Sequence, residues 1–165
     1  MSVEIKFDEK KLVKSLDRLY KKWSPDVKKQ VAKSAYNIHR EAVQNVPVGA
    51  DANLKVSLQT KFRDQGYTSE IGSGVLTGKA LIYAEVVEFG RKPGGFPPWK
   101  ENSGLYRWVK LKLGIAGKMT KSVAFLIARK IAKYGFKGQP YLHPAFKHEE
   151  PIFIREIKKI FKKVK

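Results

Sequence analysis

Residues 72–80, Gly72-Ser73-Gly74-Val75-Leu76-Thr77-Gly78-Lys79-Ala80, invite comparison with a phosphate-binding loop. In such a loop, glycine-rich backbone cradles phosphate oxygens, a lysine reaches them, and the next Ser or Thr holds magnesium. Here Ser73 occupies the place of the first glycine, five before Gly78, and Ala80 stands where the hydroxyl belongs. The dinucleotide fingerprint fails too, with Thr77 in place of its third glycine. The stretch is expected to precede a strand instead of opening a helix, and reads as a hairpin connection.

The titratable groups offer little more. His39 lies on a helical pattern beside Ile38, with no acid or histidine at metal-pair spacing. His143 and His148 flank the start of the last helical pattern, next to Glu149 and Glu150, and read as capping or surface groups. Glu85 and Glu88, three apart on an expected strand, point to opposite faces and make no carboxylate pair. Either is suited to an arginine across the sheet or across a subunit boundary. Asp51 follows Pro47-Val48-Gly49 and reads as a turn former. Metal-dependent nucleases and phosphodiesterases need clustered carboxylates, and no such cluster is evident. No enzyme activity, metal or cofactor is expected.

Residues 91–99 are of another kind. Arg91 and Lys92 stand beside Phe96 and Trp99, and Pro93, Pro97 and Pro98 stiffen the segment. Proline-held aromatics lose little entropy on docking, which suits a contact surface. The alternative is that the prolines fold the loop down and bury both rings as a satellite core.

The elements that position these groups follow from periodicity. Leu12, Leu16 and Leu19 predict a short amphipathic helix over residues 8–22. Ser24 then reads as an N-cap and Pro25 as the first residue of a second helix. Its apolar face runs through Val27, Val31, Ala35, Ile38, Ala42 and Val46, and Pro47 ends it. Val56, Leu58, Thr60 and Phe62 alternate with polar residues, predicting a half-buried strand. Asp64-Gln65-Gly66 turns the chain into a second strand over residues 67–72. The apolar run over residues 81–89 predicts a third, interior strand.

Ser103 is expected to cap a short helix reaching Gly114, and Thr120 to open another that stops at Gly135. A last helix starts near Pro144 or Pro151 and carries Phe153, Ile157, Phe161 and Val164. Its polar side is basic, with Arg155, Lys158, Lys159, Lys162, Lys163 and Lys165. The pattern is α+β: an antiparallel sheet of three to four strands packed against several amphipathic helices, one long helix before the sheet and one basic helix after it. At 165 residues the chain is expected to form one domain.

Composition sets the outer bounds. The chain has 34 Lys and Arg against 15 acids, a formal charge of +19. That field attracts polyanions and repels copies of itself, yet carries no base sequence information. A solvated lysine-rich surface is the plain alternative. There is no cysteine, so disulfides and thiolate metal sites are excluded. No apolar run approaches a membrane span, and residues 1–7 contain no signal-peptide core, so cytoplasmic synthesis is expected.

Three pieces, in their order and spacing, carry a resemblance. They are the helix end Asn45-Val46-Pro47-Val48, the stretch Tyr83-Ala84-Glu85-Val86-Val87-Glu88-Phe89-Gly90, and Gln139-Pro140-Tyr141-Leu142-His143-Pro144-Ala145-Phe146 before a terminal helix. Together they resemble the head–tail joining and tail-completion proteins of long-tailed bacteriophages, also termed minor tail or neck proteins. That family commonly places Thr-Gly-x-Leu after the Val-Pro-Val; here Gly49-Ala50-Asp51-Ala52-Asn53-Leu54 departs from it.

The resemblance implies a non-enzymatic virion protein, assembled in the host cytoplasm. It would form a ring, usually of six copies, where tail tube and head connector proteins meet around the DNA channel. Its subunit or partner contacts are then expected at Arg91, Lys92, Phe96, Trp99, Asp51, Leu54 and Glu88. Arg155, Lys158, Lys159, Lys162 and Lys163 are the expected channel or polyanion contacts. The competing reading is a free DNA-binding protein of nucleoid or regulatory type, using the basic face of the last helix. A basic ribonuclease toxin would need a general base beside the cations, and the histidines give it little support.

Overall fold

The computed structural model describes residues 9–49, 53–73 and 79–163. Asp51, Asp8, Val164, Lys165 and residues 74–78 of the glycine-rich stretch lie outside the described residues, as does the side chain of Leu12.

One helix, α1 (Glu9–Asn45), replaces the two expected at its N-terminal end, and it runs unbroken through Pro25. An interior proline removes a donor and crowds the preceding turn, at a cost of about 3 kcal/mol. Tertiary contacts around it offset that cost. Trp23 meets Phe161 edge-on at 5.4 Å, the buried Ser24 hydroxyl bonds the Tyr67 hydroxyl, and the Lys28 ammonium lies 4.7 Å from the Tyr67 ring centre. Beyond Pro25 the expected apolar face is in place: Val31, Ala35, Ile38, Ala42 and Val46 are all buried.

The chain then forms a short helix, α2 (Asn53–Ser57), and an antiparallel hairpin of β1 (Leu58–Arg63) and β2 (Thr68–Ser73). Leu58 pairs with Ser73 and Arg63 with Thr68. Asp64, Gln65 and Gly66 all take positive φ at the turn, a conformation open to glycine and tolerated by aspartate. Val56 was expected on the inward face of a strand, but it sits on α2 and is exposed.

The largest departure follows. The expected third strand is a helix, α3 (Lys79–Phe89), which buries Ala84, Val87 and Glu88 at helical spacing. Its sequence is apolar nearly all round, so no alternation distinguished the two states. The glycine-rich stretch therefore does lead into a helix, and the phosphate-loop reading now fails on Ser73 and Ala80 alone. In place of one three- to four-stranded sheet, the described residues form two separate two-stranded ones. The second pairs β3 (Gly90–Arg91) with β4 (Phe136–Lys137).

Between those short strands lie α4 (Gly104–Lys112) and α5 (Lys118–Tyr134), which pack on each other. Ser103 caps α4 as expected, its hydroxyl accepting the Tyr106 N–H at 3.1 Å, and Gly135 ends α5 at φ 76°. The last helix, α6 (Leu142–Lys162), starts before Pro144 and continues through Pro151. It lies antiparallel along α1. The buried Glu149 carboxylate accepts the Ser34 hydroxyl at 2.7 Å and the Asn37 amide at 3.2 Å. The core gathers Ile38, Ala42 and Val46 of α1 with Leu54, Leu58, Ala84, Val87, Tyr141 and Ala145. Each aliphatic side chain fully removed from water there contributes about 1.5–3 kcal/mol.

One α1–α6 contact is pH-dependent. The His148 Nδ1 lies 2.8 Å from a Glu41 carboxylate oxygen, and that hydrogen bond and charge raise the His148 pKa above its ordinary value. A raised folded pKa means stabilisation fully present below the unfolded value of about 6.5 and lost as pH rises through the folded value. His148→Ala should therefore lower the urea midpoint slightly at pH 6 and not at all at pH 9. An equal loss at both pH values would contradict the ion pair. The effect is small because the imidazole is exposed.

Candidate functional site

α3 ends because Gly90 takes φ 83°, a conformation natural to glycine at a helix C-terminus. The chain there presses directly on residue 138. A Cβ on Gly90 would stand 2.5 Å from the Gly138 nitrogen and 2.5 Å from the Phe136 carbonyl oxygen. Reciprocally, a Cβ on Gly138 would stand 2.6 Å from both the Glu88 carbonyl oxygen and the Gly90 nitrogen. Backbone thus meets backbone where two glycines face each other, and the Gln139 N–H donates to the Val87 carbonyl at 2.7 Å.

This contact delivers the Glu88 carboxylate to the start of α6. One carboxylate oxygen accepts the Tyr141 N–H at 2.8 Å and the Leu142 N–H at 3.1 Å; the other accepts the His143 N–H at 2.8 Å. The first N–H groups of a helix have no intrahelical acceptor, and the positive end of the helix dipole favours an anion. Glu88 is 7% exposed, and these donors compensate its buried charge. Glu88 is therefore not available to a neighbouring subunit, contrary to expectation. Glu85 is exposed on the same helix. The Tyr141 hydroxyl pKa is raised, first by burial and then by the Glu88 charge.

Two of the three stretches that carry the resemblance, residues 83–90 and 139–146, are thus brought together as one clasp. Leu54, also expected at an interface, lies in the core at 3% exposure. The clasp fixes the root of the 91–99 loop through β3 and β4. The Arg91 guanidinium donates to the Gly95 carbonyl, and the Gly94 N–H donates to the Ala132 carbonyl on α5 at 2.9 Å.

The loop's aromatics fall between the two alternatives. Phe96 stacks on Phe125 of α5 at 6.0 Å and Trp99 meets the same ring edge-on at 5.1 Å. Yet Phe96 remains 51% exposed, and Trp99 is half-buried. An open depression of about 430 Å³ runs along residues 96–103. Arg91 is half-buried and Lys92 exposed. The rings are held against α5 while keeping a face open to solvent.

Of the expected polyanion contacts on α6, Arg155 and Lys159 flank Glu156 at 3.2 and 2.8 Å. Lys159 first and Arg155 second hold the Glu156 pKa below the ordinary carboxylate range. Lys158, Lys162 and Lys163 are exposed. Elsewhere His39 shares a 3.2 Å hydrogen bond with Thr60. Among the described residues no group of three or more His, Asp or Glu side chains is placed to hold a metal ion. None of the described helices is long and apolar enough to cross a membrane.

Sequence reasoning missed the contact of Gly138 with Gly90, the capping role of Glu88 and the platform Phe125. A signal for the helix existed in Glu88-Phe89-Gly90, because a glycine closing an apolar run fits a helix C-terminus as well as a strand end. Nothing local marks Phe125 as the platform for residues 96 and 99. No protein-family model, curated protein or solved structure matches the chain.

Proposed function

We propose that this chain is a non-enzymatic structural protein of a tailed-phage virion. It forms a ring of about six copies at the head–tail joint, completing the tail or connecting it to the head around the DNA channel. The observation that carries this reading is the clasp. Two of the three stretches whose order and spacing together resemble tail-completion and neck proteins, some fifty residues apart, are joined through Glu88, Gly90 and Gly138. The one buried carboxylate in the clasp is engaged by backbone donors. What the clasp presents is a rigid loop with exposed aromatic and cationic groups, a surface for contact.

In this reading Phe96, Trp99, Arg91 and Lys92 meet the neighbouring subunit or ring. Lys158, Lys162 and Lys163 face the channel or an acidic neighbour. The double substitution Phe96→Ala and Trp99→Ala is expected to leave the circular dichroism spectrum intact and to abolish assembly into particles. Unchanged particle yield from a phage carrying that double variant would sink the interface assignment. Duplex affinity at physiological salt separates the competitor: weak binding that vanishes with added salt fits incidental charge. Sub-micromolar affinity with a steep salt slope would instead put a free DNA-binding protein first.

A further inference from the structure

The start of α1 carries an apolar stripe that the rest of the described molecule leaves open to solvent. Contacts spaced along the antiparallel α1–α6 pair set its alignment, among them Glu41 with His148, Ser34 and Asn37 with Glu149, and Trp23 with Phe161. α6 ends at Lys162, next to the Trp23 contact, whereas α1 begins at Glu9. Residues 9–22 therefore run past the end of α6 for about 20 Å at the helical rise. Val13, Leu16 and Leu19, at steps of three along this arm, are 55%, 56% and 43% exposed. Phe161 continues the apolar surface onto the body at 48% exposure.

Cations surround the stripe. Lys10, Lys14, Arg18, Lys21 and Lys22 are exposed along the arm, and Asp17 is the one acid among its exposed residues. We propose that this face docks a helix of another protein, one whose own apolar ridge is flanked by Asp and Glu. An apolar ridge provides the burial, and opposite charge on its flanks provides steering and register.

The charge pattern argues against a second copy of this chain, because the same cations would then face each other in a molecule of formal charge +19. A lipid surface fits less well. Helices that lie in a headgroup layer use aromatic anchors, whereas Val13, Leu16 and Leu19 of the stripe are aliphatic. Tyr20 and Phe161, 44% and 48% exposed, are tied by ring contacts at the body end of the arm. Tyr20 packs against Trp23 and Tyr67, and Trp23 against Phe161. This surface is separate from the 91–99 loop and stands whether or not the chain forms a ring.

The test uses the full chain and a fluorescein-labelled synthetic peptide about three heptads long, with leucine at a and d and glutamate on the flanks. A scrambled peptide of the same composition is the control. By anisotropy at physiological salt, the patterned peptide should bind at least about tenfold tighter than the scrambled one. Leu16→Ser with Leu19→Ser should remove that preference without changing the circular dichroism spectrum. Should that variant melt α1, Lys14→Glu with Lys21→Glu takes its place and should weaken binding while leaving the stripe intact. Equal binding of both peptides, or a preference that survives the substitutions, would overturn the proposal. So would self-association by sedimentation, or binding to phosphatidylserine vesicles, that the leucine substitutions abolish while the patterned peptide shows no preference.

Discussion

Glu88→Ala is expected to lower the thermal midpoint by about 6–12 °C, the equivalent of about 3 kcal/mol in a chain of this size. The substitution removes a buried carboxylate that accepts the Tyr141, Leu142 and His143 N–H groups at 2.8–3.1 Å. Losing a helix cap costs about 1 kcal/mol, and hydrogen bonds to a charged acceptor are worth about 1.5–3 kcal/mol. Alanine leaves the donors unsatisfied where water has little access. Glu88→Gln keeps the shape and one acceptor oxygen but loses the charge at the positive helix end, so it should cost about half as much. A calorimetric shift under about 2 °C for the alanine variant would mean that the cap contributes little to the fold.

Gly90→Ala is the second large effect, expected to exceed about 3 kcal/mol. One part is conformational, since an alanine at φ 83° adopts a left-handed backbone that costs about 1–2 kcal/mol. The other part is collision, because the new methyl would stand 2.5 Å from two backbone atoms, Gly138 N and Phe136 O. Backbone cannot rotate aside as a side chain can, so β3 and β4 must separate. Gly104→Ala is the control. An added Cβ there meets nothing within 4 Å and lies in the first turn of α4, so it should be neutral or stabilising. If both variants melt at the wild-type temperature, the close contact between the two motifs is wrong.

These two sites mark the limit of what the sequence made readable. The second half of α1 was legible because Val31, Ala35, Ile38 and Ala42 recur on one face, and the structure buries each of them. The hairpin turn at Asp64-Gln65-Gly66, the Ser103 cap and the Gly135 stop were legible because each is local chemistry. Pro25 misled because its local penalty is outweighed by contacts with α6 and the hairpin, which no window around residue 25 contains. Residues 81–89 misled because an apolar run without alternation fits an interior strand or a buried helix equally. The role of Glu88 was illegible in principle, since its partners lie 53–55 positions downstream. The 91–99 loop was half legible: its proline stiffening could be read, but the sequence left open whether its aromatics were exposed or buried, and their platform, Phe125, could not be seen.

The most direct test of the proposed role is electron microscopy of lysates from the parent phage with this gene removed. The proposal predicts DNA-filled heads beside separate tails, or tails of abnormal length if the chain terminates the tube. Normal, joined and infectious particles would contradict it.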